Sequence, residues 1–352
     1  MKFSSIAITS CFAALWAAAP VTAKFAYGVP WAADNRWAGS VTNKTVSWYH
    51  HWEDGPVSNI HKKVEYVPMY WGPKKKGDWH HRKAYIEKHK PKNILAFNEP
   101  DIESQAAMTP SEAVSEFMKE LQPFADKGIN VSSPQMVYDI GWLESFMDKC
   151  KAKGCKISFV ALHWYGGYQL SLIHISEPTR LLSISDIDAF TRWIDTVYNK
   201  FKLPIWVTEF GVTAASNPNA DQVKDFMEKA IDWMGSKDYV VRAAWNGCYN
   251  MHNPPDEFAT PLNAFFNNGG ALRDTAHTWL AGKSMIPLTE NGNGDGNNQG
   301  SNGNSGGNSG GDSDGDSIWD SIWDSIGSHH DNDKRQLAHA VMQKRRGNYE
   351  WV

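Results

Sequence analysis

The stretch from Asn93 to Asp101 reads NILAFNEPD, an apolar run that ends abruptly at an amide, a carboxylate and a proline. Asn93 to Phe97 is typical of a buried parallel strand, because the run is short and is followed by helix-start signals rather than by a hairpin turn. Asn98 and Glu99 then come at the carboxyl end of that strand, the edge where ligands meet catalytic side chains in parallel α/β folds. Glu99 is therefore a candidate site residue, although an acid in such a position is more often an ordinary loop or capping residue.

A second apolar run, IWVTEFG from Ile205 to Gly211, also ends in a carboxylate, that of Glu209. Cleavage of a glycosidic bond needs such a pair, because one carboxylic acid protonates the leaving oxygen while the other group attacks the anomeric carbon or activates water. The two carboxyl groups lie about 5 Å apart in retaining enzymes and about 6.5–9.5 Å apart in inverting ones. Two glutamates at strand ends are therefore a candidate pair for this chemistry, and the second raises the interest of the first.

Three motifs in this order resemble those of glycoside hydrolase family 128, the fungal-type endo-β-1,3-glucanases: FNEPD, ALHWYG from Ala161 to Gly166, and PIWVTEFG from Pro204 to Gly211. The resemblance covers about Phe25 to Gly282. It implies an α/β fold, a (β/α)8 TIM barrel, and retaining cleavage of β-1,3-glucan. It also implies that Glu99 is the acid/base and Glu209 the nucleophile.

Short apolar runs alternate with polar, helix-capable segments along the chain, and this pattern predicts eight βα units within about 260 residues, the usual length of a barrel. The predicted strands are Phe25–Val29, Thr45–Tyr49, Glu65–Tyr70, Asn93–Phe97, Ile129–Ser133, Ile157–Trp164, Ile205–Phe210 and Val240–Trp245. Thr109, Pro110 and Glu112 form a helix-start signal for a helix that ends near Gly128. Further helices are predicted over Trp142–Cys150, Ile187–Phe201 and Ala271–Ala281.

The HWY motif at the end of strand six supplies three more candidates. The resemblance places His163, Trp164 and Tyr165 in the substrate cleft, where His163 could hydrogen-bond a glutamate or a sugar hydroxyl. The alternative for His163 is a satisfied residue at the barrel end. We favour the site interpretation because functional groups concentrate at this edge of a barrel.

Other strand-end residues are candidates for holding the sugar. Trp71 and Trp245 are predicted sugar platforms, since flat aromatic rings suit the apolar faces of sugars, and Tyr49 is expected at the same mouth. Asn98 is expected to bind the 2-hydroxyl of the sugar being cleaved, a contact that strengthens in the transition state.

The expected chemistry needs no cofactor and no metal. Glu99 must start protonated while Glu209 is ionised, and the charge of one raises the proton affinity of the other. A formal net charge of -4 argues against a nucleic-acid partner, so β-1,3-glucan is the expected partner of a monomer. A non-catalytic, lectin-like barrel that binds wall glucan is the alternative function.

Met1 to Ala23 carries an early lysine, an apolar run and small residues before a plausible cleavage point, the pattern of a secretory signal peptide. The predicted mature chain starts at Lys24 and is secreted, extracellular or associated with a cell wall, without membrane attachment. Secretion favours disulfides, and Cys150 and Cys155 are close enough in sequence to bridge a tight turn, leaving Cys248 unpaired.

The predicted hydrolase domain, 24–286, is interrupted by an unexpected segment at 168–185. Its centre, LSLIHISEPTR from Leu170 to Arg180, resembles a translated sequencing adapter, so we interpret 168–185 as an artefactual insertion. The alternative is a real insertion on the loop after strand six, above the cleft. Residues 287–352 are rich in Gly, Asn, Ser and Asp, include DSIW repeats, and are predicted to be a disordered, low-complexity tail.

Overall fold

Eight parallel strands lie in a ring in the computed structural model, which describes residues 25–42, 45–167, 186–255 and 258–282. The predicted signal peptide, the segment 168–185 and the predicted tail lie outside the described residues. The strands are β1 (Ala26–Pro30), β2 (Trp48–His50), β3 (Glu65–Tyr66), β4 (Asn93–Ile94), β5 (Asn130–Val131), β6 (Val160–Gly166), β7 (Ile205–Val212) and β8 (Val240–Trp245).

The strand order closes the ring. Six strands pair in the order β3-β2-β1-β8-β7-β6, and β4 pairs with β5, all in parallel. Single parallel bridges join the two sheets, one between Met69 and Leu95 and another between Ser132 and Phe159. The predicted α/β (β/α)8 barrel is therefore confirmed.

The helices lie between the strands as the alternation predicts. They are α1 (Ala38–Val41), α2 (Lys76–His89), α3 (Pro110–Glu116), α4 (Gln122–Asp126), α5 (Ile140–Lys153), α6 (Asp186–Phe201), α7 (Ala220–Gly235) and α8 (Asp274–Leu280). None of the helices in these described ranges is long and apolar enough to cross a membrane.

The helix predicted from Thr109 starts with the expected reciprocal caps. The Thr109 hydroxyl accepts from the Glu112 amide at 3.3 Å, and the Glu112 carboxylate accepts from the Thr109 amide at 2.8 Å. The predicted single helix is wrong in its middle, because a π-helical segment, Phe117–Leu121, separates α3 from α4. Pro123 lies in the first turn of α4, where it has no amide proton for a regular helical hydrogen bond.

Strands β3 to β5 are shorter than predicted, because side chains and single bridges replace the regular ladder. The Ala96 amide donates to the Ser132 hydroxyl at 2.8 Å instead of to a strand carbonyl. The Tyr70 amide still donates to the Leu95 carbonyl at 2.9 Å, so the backbone stays in the ring.

An aromatic layer fills the barrel beneath its carboxyl-terminal mouth. The Trp48 and Trp206 rings lie 5.4 Å apart, and the Arg242 guanidinium lies 4.1 Å from the Trp206 ring while it pairs with Glu65 at 2.8 Å. Gly28 makes room for this layer, because a Cβ there would lie 2.2 Å from the Trp48 ring. The residues above this layer therefore rest on a rigid floor.

Cys150 and Cys155 form a disulfide across the end of α5, with Cα atoms 5.0 Å apart. Gly154 between them adopts a left-handed conformation, with φ at 78°, which turns the chain out of the helix. Cys248 is a free, buried thiol, and burial raises its pKa well above the usual range.

Candidate active site

Glu99, His163 and Glu209 meet at the carboxyl-terminal mouth of the barrel. Glu99 follows β4, His163 lies on β6 and Glu209 on β7. One oxygen of each carboxylate and one ring nitrogen of His163 all lie within 4.8 Å of one another, and all three residues are buried. The structure thus brings together the two glutamates that the sequence placed at separate strand ends.

A register shift in the sheet places His163 beside Glu209. Leu162 pairs with Val207, but the next pair is His163 with Glu209, so Thr208 is an extra residue on β7. Bulges of this kind re-aim side chains next to active sites. The Thr208 carbonyl is bonded by the Nε2 atom of His50 at 2.9 Å, so the irregular backbone keeps a hydrogen-bond partner.

Glu99 has a left-handed backbone, with φ at +44°. A non-glycine residue in this region costs of order 1–3 kcal/mol and persists only where the surroundings fix it. Here the Glu99 amide donates to the Gln135 carbonyl at 3.0 Å, and the Glu99 carbonyl accepts from the Ile102 amide at 3.1 Å. The chain therefore turns sharply at Glu99, in the segment that follows β4, and the carboxylate is directed into the mouth.

His163 bridges the two carboxylates. Its Nδ1 atom lies 2.9 Å from Oε1 of Glu99, and its Nε2 atom lies 3.4 Å from Oε1 of Glu209 and 3.4 Å from Oε1 of Gln135. Burial disfavours the imidazolium, but the charge of Glu209 and the hydrogen bond and charge of Glu99 outweigh it, so the pKa of His163 is raised. The ring is thus a proton-holding bridge at the centre of the site.

Glu209 accepts hydrogen bonds from two further side chains. The Tyr165 hydroxyl donates to Oε2 at 2.9 Å, and the Trp52 indole N–H donates to Oε1 at 3.1 Å. The Asn246 amide in turn donates to the Tyr165 oxygen at 2.5 Å. Donors of this kind favour the ionised carboxylate and fix its orientation, which suits a nucleophile.

Two amide oxygens near the carboxylates are buried acceptors without a hydrogen-bond partner in the described part of the chain. They are Oδ1 of Asn98, whose amide nitrogen donates to Gln105 at 3.2 Å, and Oδ1 of Asn246. Buried polar atoms of native proteins normally have a partner. Sugar hydroxyls are donors that could supply it.

Asp101 is an acid that the sequence reasoning did not single out. Burial, followed by the charges of Glu99 and Asp139, raises the pKa of Asp101 to about 6. Asp101 lies two residues after Glu99, and Asp139, in the segment between β5 and α5, caps α5. The quoted NEPD string already contained Asp101, but a sequence does not reveal burial.

The structure corrects three of the predicted sugar contacts. Trp245 is fully buried, and its indole N–H donates to the Asn263 carbonyl at 3.1 Å. Trp164 is buried against Phe226, with ring centroids 4.9 Å apart.

Tyr49 is the third of these corrections. It is buried, and its ring stacks on Tyr66 at 5.2 Å. Successive side chains on a strand point to opposite faces, and this explains why Tyr49 and Trp164 are buried outside the cleft. Their neighbours His50, His163 and Tyr165 are the residues that point into the barrel.

The Trp71 ring is also less accessible to a sugar than predicted. Only 8% of the residue is exposed, and the Lys75 ammonium lies 5.5 Å from the centre of its ring.

Trp52 is a half-buried aromatic residue that touches Glu209 directly, yet it lies two residues beyond the end of β2. Its distance past the strand end explains why strand-end reasoning missed it.

The cluster of Glu99, His163 and Glu209 also has the geometry of three possible ligands for a divalent cation. Both nitrogens of His163 already lie against carboxylate oxygens, so a cation would replace a proton at this bridge. Hydrogen bonding alone accounts for the arrangement.

Comparison with known proteins agrees with this geometry. The family model of the glycosyl hydrolase catalytic core matches residues 25–279. Alkali-sensitive linkage protein 1 of Schizosaccharomyces pombe is 25% identical over 268 residues, which are 72% of this chain and 44% of that protein. The chain thus spans less than half the length of this curated relative.

Solved structures of glycoside hydrolase family 128 share the fold. A curdlan-specific exo-β-1,3-glucanase of subgroup III from Blastomyces gilchristii, in complex with glucose, is 28% identical with a TM-score of 0.57; the match covers 74% of this chain and 99% of that one. An oligosaccharide-binding protein of subgroup VII from Trichoderma gamsii is 20% identical with a TM-score of 0.57, covering 76% and 97%. The resemblance to family 128 in the sequence is confirmed.

We expect His163 to titrate above the ordinary histidine value of about 6.5, because two carboxylates hold its proton. Nitrogen NMR of histidine-labelled protein would measure this pKa directly. Glu99→Gln should lower it by removing one of the charges, while His51, whose pKa burial lowers to about 4, should not move. A wild-type value for His163 at or below 6.5 would contradict the bridge.

The sign of the linked stability follows from the same shift. His163 binds its proton more tightly in the folded chain than in the unfolded one, so protonation stabilises the fold fully below about pH 6.5. This contribution disappears as the pH rises through the folded-state pKa. In denaturant titrations across that range, the stability advantage of wild type over His163→Gln should shrink as the pH rises, and a difference that does not change with pH would contradict the raised pKa.

Proposed function

The chain belongs to the glycosyl hydrolase catalytic core family, and on that premise we propose that it hydrolyses β-1,3-glucan with retention of configuration. In this proposal Glu99 is the acid/base and Glu209 the nucleophile. The supporting observation is the approach of the two carboxylates, whose oxygens lie within 4.8 Å with the ring nitrogen of His163. An approach within 4.8 Å is closer to the roughly 5–5.5 Å between the carboxyl groups of retaining enzymes than to the roughly 6.5–9.5 Å of inverting ones, and this supports retention.

The first step requires Glu99 protonated and Glu209 ionised. Glu99 donates its proton to the glycosidic oxygen while Glu209 attacks the anomeric carbon, and the sugar becomes covalently attached to Glu209. The donors Tyr165 and Trp52 hold the attacking carboxylate in one orientation. His163, 2.9 Å from Glu99, is placed to exchange a proton with the acid.

The second step reverses the role of Glu99. As a carboxylate it takes a proton from water, the water attacks the anomeric carbon, and Glu209 leaves. Two inversions give net retention. We propose that Asn98 accepts from the 2-hydroxyl of the sugar in this cycle, since its buried oxygen has no other partner in the described residues. These steps require no cofactor.

Glucan binding without hydrolysis is a second candidate function. One structural neighbour is described as an oligosaccharide-binding protein, so this architecture also serves binding. A purely binding barrel has no need of two carboxylates bridged by an imidazole, which favours the enzyme. Because the chain spans 44% of its curated relative, the partners of a longer protein of that kind are not carried over.

We further propose that the protein is a secreted monomer that acts on extracellular or wall glucan, on the basis of the signal-like Met1–Ala23. Expression of the full chain in a fungal host and mass spectrometry of the medium should identify Lys24 as the first residue of the secreted protein. Retention of the protein inside the cell with an intact Met1 would overturn this proposal.

Replacing either glutamate should remove hydrolysis while preserving binding. Glu99→Gln and Glu209→Gln should each lower kcat on laminarin by about 10²–10⁴-fold or more. The exposed Glu103, in the loop that follows Glu99, provides a matched control, and Glu103→Gln should keep full activity. Near-normal turnover by Glu209→Gln would refute the nucleophile assignment.

The stereochemistry of the product gives an independent test. Proton NMR of an oligosaccharide digest should detect the β-anomer first, with the α-anomer appearing later by mutarotation. Direct release of the α-anomer would contradict retention. The same digest resolves the mode of action, since we propose endo cleavage, which gives a range of oligosaccharides rather than glucose alone.

A further inference from the structure

Arg82 on α2 is a fully buried arginine that the proposed chemistry does not use. Its nearest carboxylate oxygen, on Asp54, is 4.0 Å away, and that carboxylate is one-third exposed. Its two terminal nitrogens donate instead to backbone carbonyls: Nη1 to Met69 at 2.7 Å, and Nη2 to Trp52 at 2.9 Å and to Glu53. Burying a guanidinium charge costs free energy unless its N–H groups are well bonded, so we expect these carbonyl contacts to have a role in the structure.

The carbonyl contacts join two parts of the barrel mouth. Met69 lies three residues after β3, whereas Trp52 and Glu53 lie in the loop after β2. The planar fork of a guanidinium can bond both at once, which the single ammonium of a lysine does less well. Lys75 adds only a weak second contact, since its Nζ lies 3.4 Å from the Trp52 carbonyl.

The loop that Arg82 holds carries a donor to the nucleophile. The backbone of Trp52 is bonded to Arg82, while the indole N–H of the same residue donates to Oε1 of Glu209 at 3.1 Å. The ring also lies edge-on to His50, with centroids 5.7 Å apart. A continuous set of contacts therefore runs from Arg82 through Trp52 to Glu209.

We infer that Arg82 is a positioning residue for Glu209, which acts by fixing the Trp52 loop so that the indole donor stays directed at the nucleophile. The inference rests on the proposed function of Glu209. Arg82 itself touches no reacting atom. Its effect on turnover should therefore pass entirely through Trp52.

A double-mutant cycle tests this dependence. Arg82→Met and Trp52→Phe should each lower kcat on laminarin by about tenfold, the loss expected for one hydrogen bond to a charged group. The double variant should be no slower than Trp52→Phe alone, within about threefold. Lys83→Met is the control, because Lys83 is next on the same helix but pairs with Glu120 at 2.8 Å. It should keep wild-type kcat.

The pH profile gives a readout that a merely structural role would not move. Glu209 faces Glu99 and His163 as titratable neighbours and Tyr165 and Trp52 as donors. Loss of the indole donor disfavours the ionised nucleophile, so the acid limb of kcat/KM should move to higher pH in both single variants. Multiplicative loss of kcat in the double variant, or an unmoved acid limb in Arg82→Met, would overturn the inference.

A conservative variant and a structural measurement serve as controls for misfolding of Arg82→Met. Arg82→Lys keeps the charge, and hydrogen exchange of the 51–57 peptide should be faster in it than in wild type or Lys83→Met. Unchanged exchange there would overturn the tether. If wild type does not cleave laminarin, the proposed function fails, while hydrogen exchange still decides whether Arg82 holds the loop.

Discussion

The imidazole of His163 between two carboxylates is the interaction on which the site depends. Two ionised groups within 4.8 Å repel each other by roughly 3 kcal/mol at an effective dielectric of about 20, and burial adds to that cost. The positive charge of protonated His163 offsets this repulsion, because each of its two ring N–H groups faces one of the carboxylates. The raised pKa of His163 and the closeness of Glu99 to Glu209 are therefore one effect.

The barrel supplies the constraints that hold this cluster. The extra residue Thr208 on β7 aligns His163 with Glu209, and the strained turn at Glu99 delivers the other carboxylate from β4. Beneath them, Trp48 and Trp206 fill the barrel, and His50 connects that layer to the Thr208 carbonyl. Backbone irregularities at the mouth thus rest on a tightly packed aromatic layer.

Sequence reasoning reached the strands and the two glutamates because both leave a local signal. Apolar runs identify strands, and the parallel topology brings their carboxyl ends to one mouth whatever their separation along the chain. The alternation of side chains along a strand also predicts the direction of Trp164. Because His163 and Tyr165 point into the interior of the barrel from β6, Trp164 between them must face the helices. The same rule places the side chains of Tyr49 and His50 on opposite faces of β2.

The remaining features depend on contacts that no local pattern encodes. Trp52 reaches Glu209 from a loop 157 residues away, and the buried Arg82 is bonded to backbone carbonyls of Trp52 and Met69, 30 and 13 residues before it. Such contacts matter because the cluster has two protonation states of the same net charge. In one, His163 is protonated and both glutamates are ionised; in the other, the proton is on Glu99 and the imidazole is neutral. On the proposed function, movement across the 2.9 Å hydrogen bond converts the first form into the reactive one. On the same proposal, the donors to Glu209 favour its ionised form, so the different roles of two chemically identical residues come from their neighbours.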